Sequence, residues 1–353
     1  MVGISLLTLV PGIFGGTETY ARELTRALSR VGTLDYRVCA PAIAPDVGDG
    51  LPTKEITAYR ASRTPIGRLA AMGLASIGPG VRRQLEPDHL DALHFPLSIM
   101  MPPLRKPPSV TTVHDVLDKV RPDAFSRAER AYRKVVYSWT ARLSRLIIVH
   151  SEHAKEVYAA GAGIEAGRVR VIPLGIDRTL FTPGEETREP FLLYPADAWP
   201  HKNHDRLMEA FSLLRHERPD LSLVLTGAGH ERRVLPEGVE YRGLVSPGEL
   251  ARLYRTASAM VFPSLHEAFG LPPLEAMASG CPVVVSNAGA LPEVCGDAAA
   301  YFDPTSAEEI AGAISTVLDR PDELVARGLA RAKLFSWDEC ARRHEDVYRE
   351  LVG

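Results

Sequence analysis

"HEAFGLPPLEAMASGCPVV" spans residues 266–284 and sets Glu267 and Glu275 on either side of Phe-Gly-Leu-Pro-Pro. Proline cannot sit inside a helix but suits its first turn. The pattern predicts a helix from about Pro273, with Glu275 in its first turn, Glu267 in the loop ahead of it and Gly280 at its end. A helix start presents unpaired backbone N–H groups and partial positive charge, which suits a phosphate. Gly270 lets the backbone come close to a ligand. A carboxylate has two acceptor oxygens, matched to the vicinal diol of a ribose or a hexose. Two diol readers around one phosphate reader outline a nucleotide-sugar. An isolated pair of this kind also fits a helix-dipole partner and a solvated loop charge, so the rest of the chain has to decide.

Working outward, short apolar runs alternate with helical patterns. "ISLLTLV" (4–10) reads as a buried strand and "TETYARELTRALSR" as the helix after it, with Tyr20, Leu24, Ala27 and Leu28 on one face. "YRVCA", "ALHF", "SVTTV", "RLIIVH" and "VRVIP" continue the strands. The pattern restarts with "FLLYP", "LSLVLTG", "VEYRG", "SAMVFPS" and "PVVVSN", and helices are expected near 203–217, 246–256, 273–279 and 306–319. Unbroken apolar strands between helices indicate parallel sheets covered on both faces. The polar, Pro/Gly-marked "TPGEETREP" (182–190) reads as a linker. The expected fold class is α/β, two Rossmann-like doubly wound domains, 1–182 and 183–336, a division that suits 353 residues.

The totals exclude several classes. Hydrophobic content of 45% and charged content of 24% rule out disordered and collagen-like readings. A net charge of −3 argues against a nucleic-acid binder. Cys39, Cys281, Cys295 and Cys340 lack metal or disulfide spacing and read as buried thiols of a reducing compartment. No Asp-x-Asp or His-Glu-x-x-His occurs, so no metal is expected; no Gly-x-Gly-x-x-Gly follows the first strand, so neither is a nicotinamide cofactor. "MVGISLLTLVPGIFGG" has no basic start and breaks at Pro11, which reads as a strand, not as a signal peptide, and points to the cytoplasm.

Set in this context, "EAFGLPPLEAMASGCPVV" resembles the retaining family-4 glycosyltransferases of the GT-B fold, in which two Rossmann-like domains face a cleft. "FGGTETY", "TVHD", "VIPLGID", "HKN" and "GALPEV" fall in the family's order over nearly the whole chain. The resemblance implies a retaining hexosyl transfer from a nucleotide diphosphate sugar to an acceptor hydroxyl. Glu275 would take the ribose hydroxyls, Glu267 the hydroxyls of the transferred sugar, and the N–H groups of Phe269, Gly270 and Leu271 sugar or phosphate oxygens. Gly15 and Gly16 would let their loop approach the diphosphate or the acceptor, although adjacent glycines also make an ordinary turn. The C-terminal helix, about 337–353, is expected to pack back onto the first domain. The run "YPADAWPHKNH" is similar to mannosyl- and rhamnosyltransferases and leans towards GDP-mannose.

Lys202 follows the first strand of the second domain, at the carboxyl edge where ligands of open α/β sheets bind, and can neutralise a leaving diphosphate. The family's arginine five or six positions earlier is replaced by Asp197 and Ala196, leaving Lys202 alone or assisted by Arg206 or His201. His114, at the end of "SVTTV", would position the sugar. His150 and Ser151 lie at another carboxyl edge and are candidates for the acceptor side. The expected partners are the nucleotide-sugar donor and a glycan, lipid-linked or small-molecule acceptor, without nucleic acid. From Asp118 to Leu146 eight Lys/Arg face three Asp/Glu, with Tyr132, Tyr137 and Trp139 among them. That segment reads as a solvated helix face or as a peripheral contact with an anionic membrane. The rival readings are a GT-B nucleotide-sugar epimerase, a phosphorylase, a catalytically dead homologue and a non-catalytic two-domain sugar-binding protein.

Overall fold

A computed structural model of the chain describes residues 1–12, 15–85, 89–231 and 233–353. Phe14, which opens the "FGGTETY" segment, lies outside the described residues. The chain gathers into two compact units, Met1–Gly175 with Trp337–Gly353, and Ile176–Ser336.

The first unit holds β1 (Val2–Ser5), β2 (Tyr36–Pro41), β3 (Thr53–Ile56), β4 (Ala92–Phe95), β5 (Ser109–Thr112), β6 (Leu146–Val149) and β7 (Val169–Val171). They form one sheet in the order β3-β2-β1-β4-β5-β6-β7, with every pair parallel. The second unit holds β8 (Glu189–Pro195), β9 (Ser222–Thr226), β10 (Val239–Tyr241), β11 (Ala257–Phe262), β12 (Val283–Ser286) and β13 (Ala300–Phe302). Its order is β10-β9-β8-β11-β12-β13, again parallel throughout. All four residues of β1, β4, β5, β6 and β12 are buried, as strands covered on both faces require. Each order reverses at one point, between β1 and β4 and between β8 and β11. There the carboxyl-end loops diverge and leave a crevice for ligands. The fold class read from the sequence is the one found.

Several expectations need correction. The "ISLLTLV" strand stops at Ser5; Leu6, Leu7, Leu9 and Val10 are buried in a turn, with Leu9 N–H bonded to Leu6 O at 2.9 Å. Apolar character there comes from packing of the loop, not from the sheet. The edge strands β3 and β13 were not foreseen, and of β3 only Ile56 is buried. The helix after β11 runs Leu271–Ala278, so Glu275 is its fifth residue, one turn beyond the first-turn position expected. The helices Pro65–Ile77, Gly80–Leu85 and Asp322–Ala332 were also not foreseen.

The helix Trp337–Val352 packs on Gly16–Val31 within the first unit. A buried chain of hydrogen bonds joins them to the sheet. Tyr348 Oη donates to His94 Nδ1 (2.8 Å), and His94 Nε2–H donates to Thr112 Oγ1 (2.8 Å). Thr112 donates to Tyr20 Oη (2.9 Å), Tyr20 to His344 Nε2 (2.7 Å), and His344 Nδ1–H to the Cys340 carbonyl (2.7 Å). The carbonyl can only accept, so its demand fixes every direction up the chain. Both histidines are used as neutral rings, one nitrogen donating and one accepting. Burial agrees: it pushes His344 down to about 4 and, with His344 adding to it, His94 well below the usual histidine range.

Candidate active site

The loops after β8 and β11 flank the switch point of the second sheet, and each carries one half of an ion pair. Lys202 Nζ lies 2.6 Å from Glu267 Oε1, with side-chain exposures of only 17% and 14%. The ammonium also lies 5.0 Å from the centre of the Phe262 ring. Burial alone would raise the Glu267 carboxyl, but Lys202 foremost, then Ser264 and His201, outweigh it and hold it below its usual value. The pair is ionised, and Lys202 keeps two N–H donors beyond the one given to Glu267.

Both loops are fixed from several sides. Lys202 ends the short turn Pro200–Lys202, and its carbonyl accepts from Tyr194 Oη at 2.6 Å. Asn203 adopts the left-handed conformation (φ 60°) and sends its side-chain amide to the carbonyls of Pro263 (3.1 Å) and Pro304 (2.7 Å). Leu265 N–H bonds the His201 carbonyl at 2.7 Å. The "HKN" segment therefore ties the end of β8 to the ends of β11 and β13. Glu267 is held from the other side. Gly289, at φ +63°, lies where a Cβ would come within 2.5 Å of the Glu267 carbonyl oxygen, and Ala290 N–H donates to that oxygen at 2.9 Å. This explains the "GALPEV" segment: only a glycine lets the backbone of Glu267 come so close.

Gly270 caps the helix Leu271–Ala278 at φ 111°, and a Cβ there would lie 2.6 Å from Leu291 Cδ2. Pro272 and Pro273 occupy the second and third helical positions and carry no N–H. The unpaired donors of this helix start are therefore concentrated at Gly270 and Leu271. Glu275 is half-buried one turn further on, and Tyr254 Oη donates to its Oε2 at 3.2 Å. Burial raises the Glu275 carboxyl to about 7, and the tyrosine offsets only part of that. Burial foremost, with Glu275 next, keeps Tyr254 itself protonated.

The position of the family arginine turns out to be an anchor. Asp197 accepts from Ala228 N–H at 2.7 Å, and Gly227 (φ +115°) has no room for a Cβ, which would meet the Ala196 carbonyl carbon at 2.6 Å. Arg206 bonds Glu209 at 2.6 Å on the exposed face of its own helix.

In the first unit, Gly15 (φ 46°) precedes the helix Gly16–Val31, and a Cβ on either Gly15 or Gly16 would meet nothing within 4 Å. His114, at the end of β5, has both ring nitrogens engaged, by the Pro96 carbonyl (2.6 Å) and by His150 Nε2 (3.0 Å). His150 is buried and reaches the Ile172 carbonyl through Nδ1 (3.0 Å). Ser151 is fully buried, and its hydroxyl caps the helix Glu152–Ala162 through Ala154 N–H (3.0 Å). The structure thus joins His150 to His114, while Ser151 stays within the fold. Asp115 of "TVHD" accepts from Leu117 N–H (2.7 Å), and Asp177 of "VIPLGID" from Thr179 N–H (2.9 Å), so both serve as turn caps. Among the described residues, no group of three or more His, Cys, Asp or Glu is placed to hold a metal ion.

Reading by sequence missed Tyr254 and Gly227, and met Gly289 only as the first residue of "GALPEV", without a role. The two glycines stood in "LTGAGH" and "SNAGALPEV" as audible breaks after strands, whereas Tyr254 looked like any core residue of an amphipathic helix.

Two parallel sheets of seven and six strands, each reversing its strand order at one point, define the GT-B architecture. The sucrose-phosphate synthase of Thermosynechococcus elongatus superposes with a TM-score of 0.76 at 22% identity, covering 99% of this chain and 98% of that one. Anabaena HepE, solved with UDP and glucose, gives 0.71 at 18% identity over 99% of both chains. Residues 14–180 match the model of "Glycosyltransferase Family 4", and residues 176–333 that of "Glycosyl transferases group 1". The O-antigen chain mannosyltransferase B of Escherichia coli is 32% identical over 274 residues, 70% of this chain and 72% of the relative. The chain belongs to family 4 of the glycosyltransferases.

Proposed function

We propose that this enzyme transfers a mannosyl group from GDP-mannose, with retention, to a hydroxyl of a growing glycan or glycoconjugate. The observation that carries the donor site is the Lys202–Glu267 pair at the switch point, beside a helix start whose donors are narrowed to Gly270 and Leu271. The diphosphate takes those N–H groups, with that of Phe269, and the spare donors of Lys202. Glu275 takes the ribose diol and Glu267 the hydroxyls of the transferred sugar. By the family resemblance alone, Gly15 and Gly16 are assigned to the diphosphate or the acceptor and His114 to positioning of the sugar. The mannosyl choice rests on the relative named above, whose function is the transfer of mannose in O-antigen chains.

The chemistry follows from positioning and charge. As the glycosidic bond breaks, negative charge develops on the departing phosphate, and Lys202 with the backbone N–H groups stabilises it. The departing phosphate oxygen takes the proton of the attacking hydroxyl on the same face of the sugar, which preserves the anomeric configuration. Glu267 is committed to Lys202 and is assigned no nucleophilic role.

For the acceptor, the helix Arg127–Leu143 and its surroundings supply a cationic surface. Arg127, Arg130, Lys134, Arg142 and Arg145 are exposed beside Val135, which is 60% exposed. Such a face suits a lipid-linked acceptor at an anionic membrane. Among the described residues, no helix is long and apolar enough to cross one. Co-flotation with anionic and not with neutral liposomes is expected; absence of both retires the membrane contact.

The decisive test of the function is a thermal-shift panel of GDP-, UDP-, dTDP- and ADP-sugars. A donor at 100 times its Kd stabilises by about 2.7 kcal/mol, or about 5–10 °C for a unit of this size. GDP-mannose is expected to give the largest shift. A larger shift with another sugar nucleotide would replace the donor, and no shift at all would end the proposal.

A further inference from the structure

The candidate residues of the first unit, Gly15, His114 and His150, all follow the carboxyl ends of its strands. The opposite, amino edge of the same sheet holds a cavity of about 280 Å³. Three segments wall it: the helix Gly80–Leu85, the approach to β4, and the loop that leads into β5. Leu85, Leu90, Leu93 and Leu104 make the wall apolar. Leu93 belongs to the buried cluster with Phe95 and Met100, and Leu90 and Leu104 are half-buried against it. Leu90 and Leu93 also pack onto Gly3 of β1, which closes the floor.

The remaining polar lining is basic. Arg82, His89 and Lys106 are exposed, and His89 is held at a positive φ of 45°. Arg82 donates to the Pro103 carbonyl at 3.1 Å, a neutral partner, and among the described residues no carboxylate pairs with any of the three. Asp91, close by in sequence, is taken by the Met1 ammonium (2.5 Å), and Glu86 and Asp88 lie outside the described residues. Elsewhere in the unit Arg22, Arg26, Arg30 and Arg170 each meet an acid. Arg83 and Arg105 stand exposed on the same segments as Arg82 and Lys106 and add to the positive field.

Basic groups without acids above a wall of leucines are complementary to a molecule with an apolar body and an anionic end. Water gains little there, because a leucine wall offers it no hydrogen-bond partners. A methylene takes up about the room of a water molecule, roughly 30 Å³, so a chain of about nine carbons fills the cavity.

We propose that this cavity binds a single-chain amphipathic anion, with its tail among Leu85, Leu90, Leu93 and Leu104 and its head on Arg82, His89 and Lys106. The site lies on the edge of the sheet away from the loops where open α/β folds take their substrates. It belongs to the first unit alone and is independent of the donor reading.

The test is titration calorimetry of the whole protein with straight-chain carboxylates of six to twelve carbons, below the concentrations at which they self-associate. Affinity should rise about fourfold per added methylene and level off near ten carbons, when the cavity is full. Octanol, which has the tail without the charge, should bind about tenfold more weakly than octanoate at low salt. The double variant Arg82→Gln/Lys106→Gln should lose that preference, and Leu104→Trp, which fills the cavity, should lose binding of both. Equal binding of octanol and octanoate to the wild type would overturn the anionic head. No binding, affinity still climbing at twelve carbons, or unchanged binding to a folded Leu104→Trp would overturn the site. Should Leu104→Trp not fold, the double variant decides, since both of its residues are exposed: an unchanged preference for octanoate refutes the proposal.

Discussion

Replacing Glu275 with glutamine should give a more stable protein that binds its donor less well. The carboxyl is half-buried, is bonded by Tyr254, and has no cation paired with it among the described residues. Burial raises it from 4.5 to about 7, a shift worth roughly 3 kcal/mol at most; the exposure that remains brings this to about 2–3 kcal/mol. The sign follows from where each state loses its proton. The unfolded chain releases it near 4.5 and the folded protein only near 7. The stabilisation is complete below 4.5, fades as pH rises through that window, and is gone above it. Glutamine stays neutral at every pH and keeps an acceptor for Tyr254. The variant should therefore melt about 5–10 °C above the wild type at pH 8, with roughly a quarter of that gap at pH 5. Its Kd for the sugar nucleotide should rise about 10- to 100-fold, for the loss of a charged acceptor on the ribose. Calorimetric scans at both pH values, with binding measured at pH 8, check both halves. A gap that ignores pH, or a variant less stable at pH 8, refutes the electrostatic reasoning. Higher stability with unchanged affinity refutes the role of Glu275 as a ligand group.

Lys202→Ala should lower kcat by about 10²–10³ at saturating donor, the usual effect of removing one group that stabilises developing charge; wild-type turnover in a steady-state assay would refute the leaving-group assignment. Gly289→Ala should cost about 1–3 kcal/mol, since the new Cβ meets the Glu267 backbone at positive φ, and should displace Glu267. Its donor Kd and melting temperature should both worsen, and an unperturbed protein would show that the loop has room to yield. Gly16→Ala should do the opposite to stability: the position is helical and open, so Tm stays level or rises, while donor affinity falls as the clearance closes. Unchanged donor binding would make the paired glycines an ordinary turn.

The sequence carried the sheets well because parallel strands buried on both faces leave continuous apolar runs, as in "ALHF" and "RLIIVH". Edges were harder. Most of β3, "TKEI", faces solvent, so it carries no apolar run to detect. Within the site, Glu267, Gly270 and Lys202 were legible because prolines, glycines and clustered polar residues interrupt an apolar pattern. The ion pair between Lys202 and Glu267 was not, since sixty-odd residues separate them and only the order of β8 beside β11 brings them together. The same applies to Tyr20, whose place on one helix face was read correctly. Its bond to His344 depends on a helix more than three hundred residues away. The start of the Leu271–Ala278 helix was misjudged because a double proline fits the first three helical positions equally well.

The way the last helix lies on Gly16–Val31 makes the first unit discontinuous along the chain. On the ribosome, Ile176–Ser336 emerges in full before the strands that came out earlier can receive Trp337–Val352. The first unit is thus completed only after the second has emerged, and until then Tyr20, Thr112 and His94 wait uncovered. Deleting Trp337–Val352 would strip the first unit of its lining while leaving the second unit's sheet untouched.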